Sequence, residues 1–271
     1  HLIQPAAMAV VLYVAHIQMG HAQDATATNP ANEVSEVALP GVTVSATGLG
    51  WAAQDMAAPV SVLEGQVWQQ QRAATLGESL SGELGIHATH FGAGASRPII
   101  RGIDGPRIAV LANGVELHDA STISPDHAVT ADPLLVQQVE ILRGPSALIH
   151  GGAVGGVVNL VDEKVPTQRP DQPVQGNAEV RWGSAANEKS GALGLTTGTG
   201  PLVLRVEAAG RHASDYRVGR GWQAEEGGRK VPGSFSEGNT GTVGLSWVGS
   251  DGYLGAAYTR QRAEYGLPGH A

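Results

Sequence analysis

The chain contains no cysteine, which excludes disulfide scaffolds, thiolate zinc sites, iron–sulfur clusters and cysteine nucleophiles together. Charge is also scarce: 15% of residues are Asp, Glu, Lys or Arg, against a usual ~25%. The balance is acidic, with a formal net charge of −8, so nothing supplies the basic footprint that nucleic-acid binding needs. Aromatics are few, at five Trp, five Tyr and two Phe. No apolar run reaches the roughly 18 residues of a membrane-spanning helix, so a bilayer could be met only through strands. What the chain has in excess is glycine, 38 of 271 residues, about twice the usual share. With 42% hydrophobic residues it is too apolar to be disordered throughout.

The N-terminal stretch Pro5-Ala6-Ala7-Met8-Ala9-Val10-Val11-Leu12-Tyr13-Val14-Ala15 is an apolar core of secretory-signal length. Gly20-His21-Ala22 supplies small residues at the −3 and −1 positions of a cleavage site. The positive n-region is missing and residue 1 is His. Residues 1–22 are therefore expected to be a cleaved signal peptide, incomplete at its N-terminus, with a buried helix as the alternative. Residues 23–54 are mostly polar and without periodicity, and read as a flexible arm. Within it Gly41-Val42-Thr43-Val44-Ser45-Ala46 is a short β-prone run. Such a run is either the first strand of the next domain or a strand offered to a partner's sheet edge.

Residues 55–165 read as a compact α+β domain. Strands are expected at Pro59-Val60-Ser61-Val62-Leu63, Pro98-Ile99-Ile100-Arg101, Arg107-Ile108-Ala109-Val110-Leu111, Val139-Glu140-Ile141-Leu142-Arg143 and Gly156-Val157-Val158-Asn159-Leu160-Val161. Asn113-Gly114 signals a hairpin. Thr75, with Glu78 three residues on, is a helix cap. Asp132-Pro133 predicts a second short helix, with Asp as cap and Pro at the first position. The run Gly151-Gly152-Ala153-Val154-Gly155-Gly156 lacks the Lys-Ser/Thr of a phosphate loop, and its glycines suit tight turns instead.

From residue 170 the period changes to two. Polar and apolar residues alternate in Asn177-Ala178-Glu179-Val180-Arg181-Trp182, Leu202-Val203-Leu204-Arg205-Val206-Glu207-Ala208 and Thr240-Gly241-Thr242-Val243-Gly244-Leu245-Ser246-Trp247. Residues 190–197 and 253–260 are weaker members of the series. Alternation alone fits a soluble sandwich as well as a membrane barrel. The connections decide between them, because short turns near Gly200 and Ser250 alternate with a long one from about His212 to Gly238. Residues 170–271 therefore predict about five strands of an antiparallel transmembrane β-barrel meander. Five strands cannot close a barrel, so the barrel is expected to be incomplete and the chain a fragment.

The order of these features resembles the TonB-dependent outer-membrane receptors. The resemblance rests on Val42-Thr43-Val44, Arg97-Pro98-Ile99-Ile100-Arg101-Gly102, Val110-Leu111-Ala112-Asn113-Gly114-Val115, Val139-Glu140-Ile141-Leu142-Arg143-Gly144-Pro145 and the glycine-rich run ending at Asn159. It implies an α+β plug domain followed by a barrel of about twenty-two strands. It also implies a TonB box at Val42, Thr43, Val44, Ser45 and Ala46, contacting TonB of the energy-transducing inner-membrane complex. Arg101, Glu140 and Arg143 are the charges expected to pair across the plug–barrel interface.

Two Asp/His pairs, His118-Asp119 and Asp126-His127, offer ligands suited to zinc and similar divalent ions. On residue type alone such pairs are more often a capped, hydrogen-bonded turn. Here Leu84-Gly85-Ile86-His87, Phe91-Gly92-Ala93-Gly94-Ala95-Ser96, Ser124-Pro125-Asp126-His127-Ala128 and Tyr265-Gly266-Leu267-Pro268 resemble the zinc-uptake branch of these receptors. That resemblance implies Asp126 and His127, then Asp119 and His118, and more weakly His87, as ligands for a transported zinc ion or zinc complex. It implies transport rather than catalysis, an outer-membrane location among lipid, and no catalytic cofactor. Receptors for an iron–siderophore, haem or cobalamin are the alternative within the class, and a nonfunctional truncated copy is another. A secreted metallohydrolase using Asp119, Asp126 and His127 lacks any His-Glu-x-x-His pattern.

Overall fold

The computed structural model describes residues 60–219 and 228–269. The expected signal peptide, the arm and the segment 42–46 lie outside the described residues. Two units follow one another: a mixed unit holding the first seven strands, and a five-stranded meander.

The mixed unit opens with strand β1 (Val60–Glu64) and helix α1 (Gly65–Gln71). Helix α1 buries Trp68, whose indole N–H donates to the Val136 carbonyl at 2.8 Å. Helix α2 (Leu76–Leu80) is capped as expected, with the Glu78 amide donating to Thr75 Oγ1 at 3.3 Å. Strands β2 (Ile86–Ala88) and β3 (Pro98–Ile100) pair with each other. Strands β4 (Ile108–Ala112) and β5 (Val115–Glu116) form the predicted hairpin. Its turn residues Asn113 and Gly114 both take positive φ, the conformation that a type I′ connection demands.

Strands β6 (Gln138–Leu142) and β7 (Gly156–Val161) complete a sheet of order β1-β6-β7-β4-β5, in which only β4 and β7 run parallel. One face packs Trp68, Leu76, Leu80, Ile100, Val139 and Ile141 into a single cluster. Each such side chain, fully removed from water, contributes about 1.5–3 kcal/mol before entropy is counted. The glycine-rich run forms turns, and at Gly155 a Cβ would stand 2.7 Å from Ile103. Asp132-Pro133 does not start a helix. The chain makes a single turn there, with the Leu134 amide donating to Asp132 Oδ1 at 3.1 Å.

The second unit is a meander of β8 (Val174–Gly183), β9 (Glu188–Thr199), β10 (Leu202–Ala213), β11 (Ser236–Val248) and β12 (Tyr253–Tyr265). All four pairings are antiparallel between sequence neighbours, and the sheet is open. The connection 214–235 is long, whereas Gly200-Pro201 and 249–252 are tight. One face lies against the first unit and carries Arg205, Glu207, Thr240, Thr242 and Ser246, all buried. The opposite face exposes Leu195, Leu204, Val206, Val243, Leu245 and Trp247. Polar side chains therefore face inward and apolar ones outward, the reverse of a soluble sandwich and the pattern of a membrane barrel wall.

Candidate functional site

The loops between β5 and β6 carry most of the residues implicated by sequence. Asp119 begins a single 3-10 turn (Ala120–Thr122). Its side chain is 8% exposed and faces the Arg97 guanidinium at 3.6 Å. Arg97 also donates to Ser121 Oγ at 2.5 Å, Ser121 donates to Asp119 Oδ1, and the Thr130 amide donates to Asp119 Oδ2 at 2.8 Å. Burial lowers the Arg97 pKa, and Asp119 opposes that shift. Both oxygens of Asp119 are thus engaged in holding the loop. His118 is exposed beside it.

Asp126 and His127 present a different surface. His127 Nδ1 lies 3.0 Å from Asp126 Oδ1, and Ser124 donates its hydroxyl to the same oxygen. The Ser124 hydrogen bond and then that of His127 hold the Asp126 carboxyl below its ordinary range. Both side chains remain solvent-accessible, at 36% and 52%, so Asp126 Oδ2 and His127 Nε2 can still meet a ligand. Among the described residues, no three His, Asp or Glu side chains gather into a metal-binding group. His87 sits on β2, away from the pair in sequence, with its residue exposed.

Three of the sequence motifs meet at this loop. The Ala128 amide donates to the Tyr265 hydroxyl at 2.9 Å, and that hydroxyl donates to the Asp126 carbonyl at 3.2 Å. Tyr265 can reach the loop because Gly94 lacks a side chain: a Cβ there would stand 2.4 Å from the Tyr265 ring. A Cβ on Gly92 would meet the Gly266 carbonyl at 2.6 Å. The runs 91–96, 124–128 and 265–268, far apart in sequence, therefore form one packed corner that fixes the backbone beneath Asp126.

Among the described residues, the ion pairs seen between the two units are made by residues other than Arg101, Glu140 and Arg143. Both carboxylate oxygens of the buried Glu140 accept from residues of the same sheet, Gln138 and Asn159. Arg143 donates to Ser61 Oγ at 2.8 Å and to the Leu84 carbonyl. Arg101 is exposed with a positive φ. A carboxylate buried in a sheet's centre is stabilised by local donors, and this placement was hidden from sequence reasoning. The described contacts between the two units include Arg72 with Glu179 at 3.3 Å, Arg181 donating to the Arg72 and Gln69 carbonyls, and Arg211 with Asp132 at 3.2 Å. Arg72 also donates to the Leu134 carbonyl at 2.8 Å and stacks over Trp68, so it ties helix α1 to the sheet. The sequence did hold a signal for Glu179 and Arg181: both occupy polar positions of the alternation.

Comparison with known families accounts for this arrangement. Residues 52–157 match the TonB-dependent Receptor Plug Domain. The plug is followed by the sheet described above, and the two together have the architecture of known receptor structures. A copper transporter, OprC, superposes with a TM-score of 0.65 at 20% identity, covering 78% of this chain and 31% of its own. The FrpB iron transporter from Neisseria meningitidis gives 0.62 at 17% identity, covering 75% of this chain and 31% of its own. Among curated proteins, the vitamin B12 transporter BtuB of Photobacterium profundum is 26% identical over 159 residues, which is 58% of this chain and 26% of the transporter. A hemin receptor of Yersinia pestis is 32% identical over 145 residues, 53% of this chain and 21% of the receptor. These similarities support the TonB-dependent receptor family. The chain spans between a fifth and a third of the length of these relatives.

Proposed function

We propose that this chain is the plug and first barrel strands of a TonB-dependent outer-membrane receptor that imports zinc or a zinc complex into the periplasm. The carrying observation is the corner where Asp126 and His127 stand exposed on a loop pinned by Tyr265 from the sheet. An imidazole and a carboxylate held below its ordinary range suit a divalent cation. His118, exposed beside the loop, is the third candidate, and other ligands would come from elsewhere in a receptor. The inward polar face supports a barrel lumen holding the plug, and the outward apolar face supports contact with outer-membrane lipid. Segment 42–46 would pair with TonB by strand addition, coupling inner-membrane energy to plug rearrangement. A leader at residues 1–22, cleaved on export, completes this reading. The plug then acts as a gate and binds no catalytic cofactor.

Names of relatives favour a second reading, since a hemin receptor and a vitamin B12 transporter share this plug. Calorimetric titration of the refolded chain separates the two. Zinc should bind saturably and lose most of its affinity in Asp126→Ala and His127→Ala. Binding of haem or cobalamin, with none of zinc, would replace the zinc reading by the second. TonB contact is tested separately by pull-down with the periplasmic domain of TonB, where scrambling 42–46 should abolish capture.

A further inference from the structure

The outward face of the sheet has a sharp upper edge. Residues directly opposite in register share a face, and the rows Lys189↔His212, His212↔Glu237 and Glu237↔Glu264 carry one level of pairing from β9 to β12. The first charged or strongly polar outward residue is Lys189 on β9, His212 on β10, Asn239 on β11 and Arg260 on β12. From Lys189 to Arg260 this edge shifts by four residues along the strands, about 14 Å, across three strand spacings of roughly 4.8 Å each. It therefore slants at about 45° to the pairing direction. Barrel strands tilt by about 35–45°, so such a slanted line lies level with the membrane plane. The apolar band ends along it, below Arg260 at Tyr258.

A shallow depression opens on this level line. Its floor is Ala208 and Gly241, directly opposite one another, with Asn239 beside them. A Cβ on Gly241 would meet nothing within 4 Å. Arg260 and Arg262 form its wall on β12. Both arginines are exposed, and among the described residues neither has a carboxylate at ion-pair distance. Glu237 stands above and is taken by His212 at 3.3 Å. Two unpaired guanidiniums at the edge of an apolar band are costly against hydrocarbon, but at headgroup level they face anions. The guanidinium fork matches phosphate oxygens.

Resting on the outer-membrane reading above, we infer that Arg260 and Arg262, over the Ala208–Gly241 floor, bind the phosphate of a lipid headgroup bearing uncompensated negative charge. The acyl chains then run down the Val206, Val243 and Tyr258 surface. A zwitterionic headgroup is a poorer fit, because its own ammonium competes with the arginines for the phosphate.

The test uses the 271-residue chain refolded in dodecyl maltoside micelles doped with phosphatidic acid or phosphatidylethanolamine, with retained lipid read by native mass spectrometry. Phosphatidic acid should be held at least about tenfold more tightly, and Arg260→Ala/Arg262→Ala should erase the preference. Arg260→Lys/Arg262→Lys should keep part of it. Gly241→Val, which fills the floor and leaves both charges, should weaken retention several-fold. Equal retention of the two lipids, or an unchanged preference in the double alanine variant, overturns the proposal. So does displacement of the lipid by an equal concentration of inorganic phosphate. Quenching of Trp247 by brominated detergent reports separately on the membrane face. Quenching without lipid preference sinks this site alone, whereas an unquenched Trp247 sinks the membrane reading with it.

Discussion

Arg211 on β10 reaches across to the plug and meets the Asp132 carboxylate at 3.2 Å, while its other terminal nitrogen donates to the Ala74 carbonyl at 2.6 Å. Asp132 answers with its second oxygen, accepting from Thr240 on β11 at 3.1 Å. One plug carboxylate thus joins two barrel strands. Leu134, the residue two on, packs with Ala192 and Ala209 of the sheet, so an apolar contact lies beside the polar one.

Removing that carboxylate should loosen the plug from the sheet. Asp132→Ala leaves a mostly buried Arg211 without its ion partner and frees the Thr240 hydroxyl, a loss of about 2–4 kcal/mol. Asp132→Asn, which keeps an acceptor, should lose less. Hydrogen exchange of amides 129–136 in the refolded chain reads the effect. Protection unchanged in Asp132→Ala would show that the apolar contact alone seats the plug.

Asp119 and His127 should separate cleanly into support and ligand. Asp119→Ala strands the buried Arg97 and should cost about 3 kcal/mol of plug stability in urea, with zinc affinity of the folded fraction unchanged. His127→Ala, at an exposed position, should shift stability by under about 0.5 kcal/mol while weakening zinc binding. Loss of zinc affinity in a fully folded Asp119 variant would instead make Asp119 a ligand.

The two units differed in how much the sequence disclosed. The strands of the sheet were legible because alternation on Leu202-Val203-Leu204-Arg205-Val206-Glu207 is a local signal, and the tight turns at Gly200 and Gly249 are local too. The Asn113-Gly114 hairpin and the Thr75 cap were readable for the same reason. Asp132 was misread because its capping chemistry was judged within the chain segment. Its strongest partners, Arg211 and Thr240, arrive from strands about eighty and over a hundred residues away. Glu140 shows the same reach: one of its donors, Asn159, comes from the neighbouring strand. The Asp126–His127 adjacency was legible in the sequence, whereas the Tyr265 contact beneath it depends on two glycines whose role only packing reveals.

Asp126 should titrate according to its hydrogen bonds. Its carboxyl is held below the ordinary value first by Ser124 and then by His127. A carboxylate depressed in this way stabilises the fold above its unfolded value, and that contribution fades as pH falls through the lowered folded one. Ser124→Ala should raise the Asp126 value towards the ordinary carboxylate range. Carbon-13 NMR of the side-chain carboxyl checks the direction, and an unchanged titration would assign the shift to His127 alone. Zinc binding in the variant should weaken at a higher pH than in the parent, because protons then compete for the ligand sooner.

Gly244 and Gly210 offer a paired test of how the plug exit meets the barrel wall. Gly244 lies on β11 with its inward side against the backbone of the segment leaving the plug: a Cβ there would fall 1.7 Å from the Lys164 carbonyl oxygen. The obstacle is main chain rather than a mobile side chain, so Gly244→Ala must displace residues 162–165 and disturb the Arg205–Glu163 ion pair beside them, at 2.8 Å. Overpacking of this kind costs about 1–3 kcal/mol. Gly210 on β10 has nothing within 4 Å of a Cβ, so Gly210→Ala should be neutral or slightly stabilising, since a glycine in a strand costs conformational entropy. Urea unfolding of the two variants in micelles gives the comparison. Equal stabilities would mean that the connecting segment yields freely, and that the plug is anchored by Arg72, Arg181 and Arg211 without help from residues 162–165.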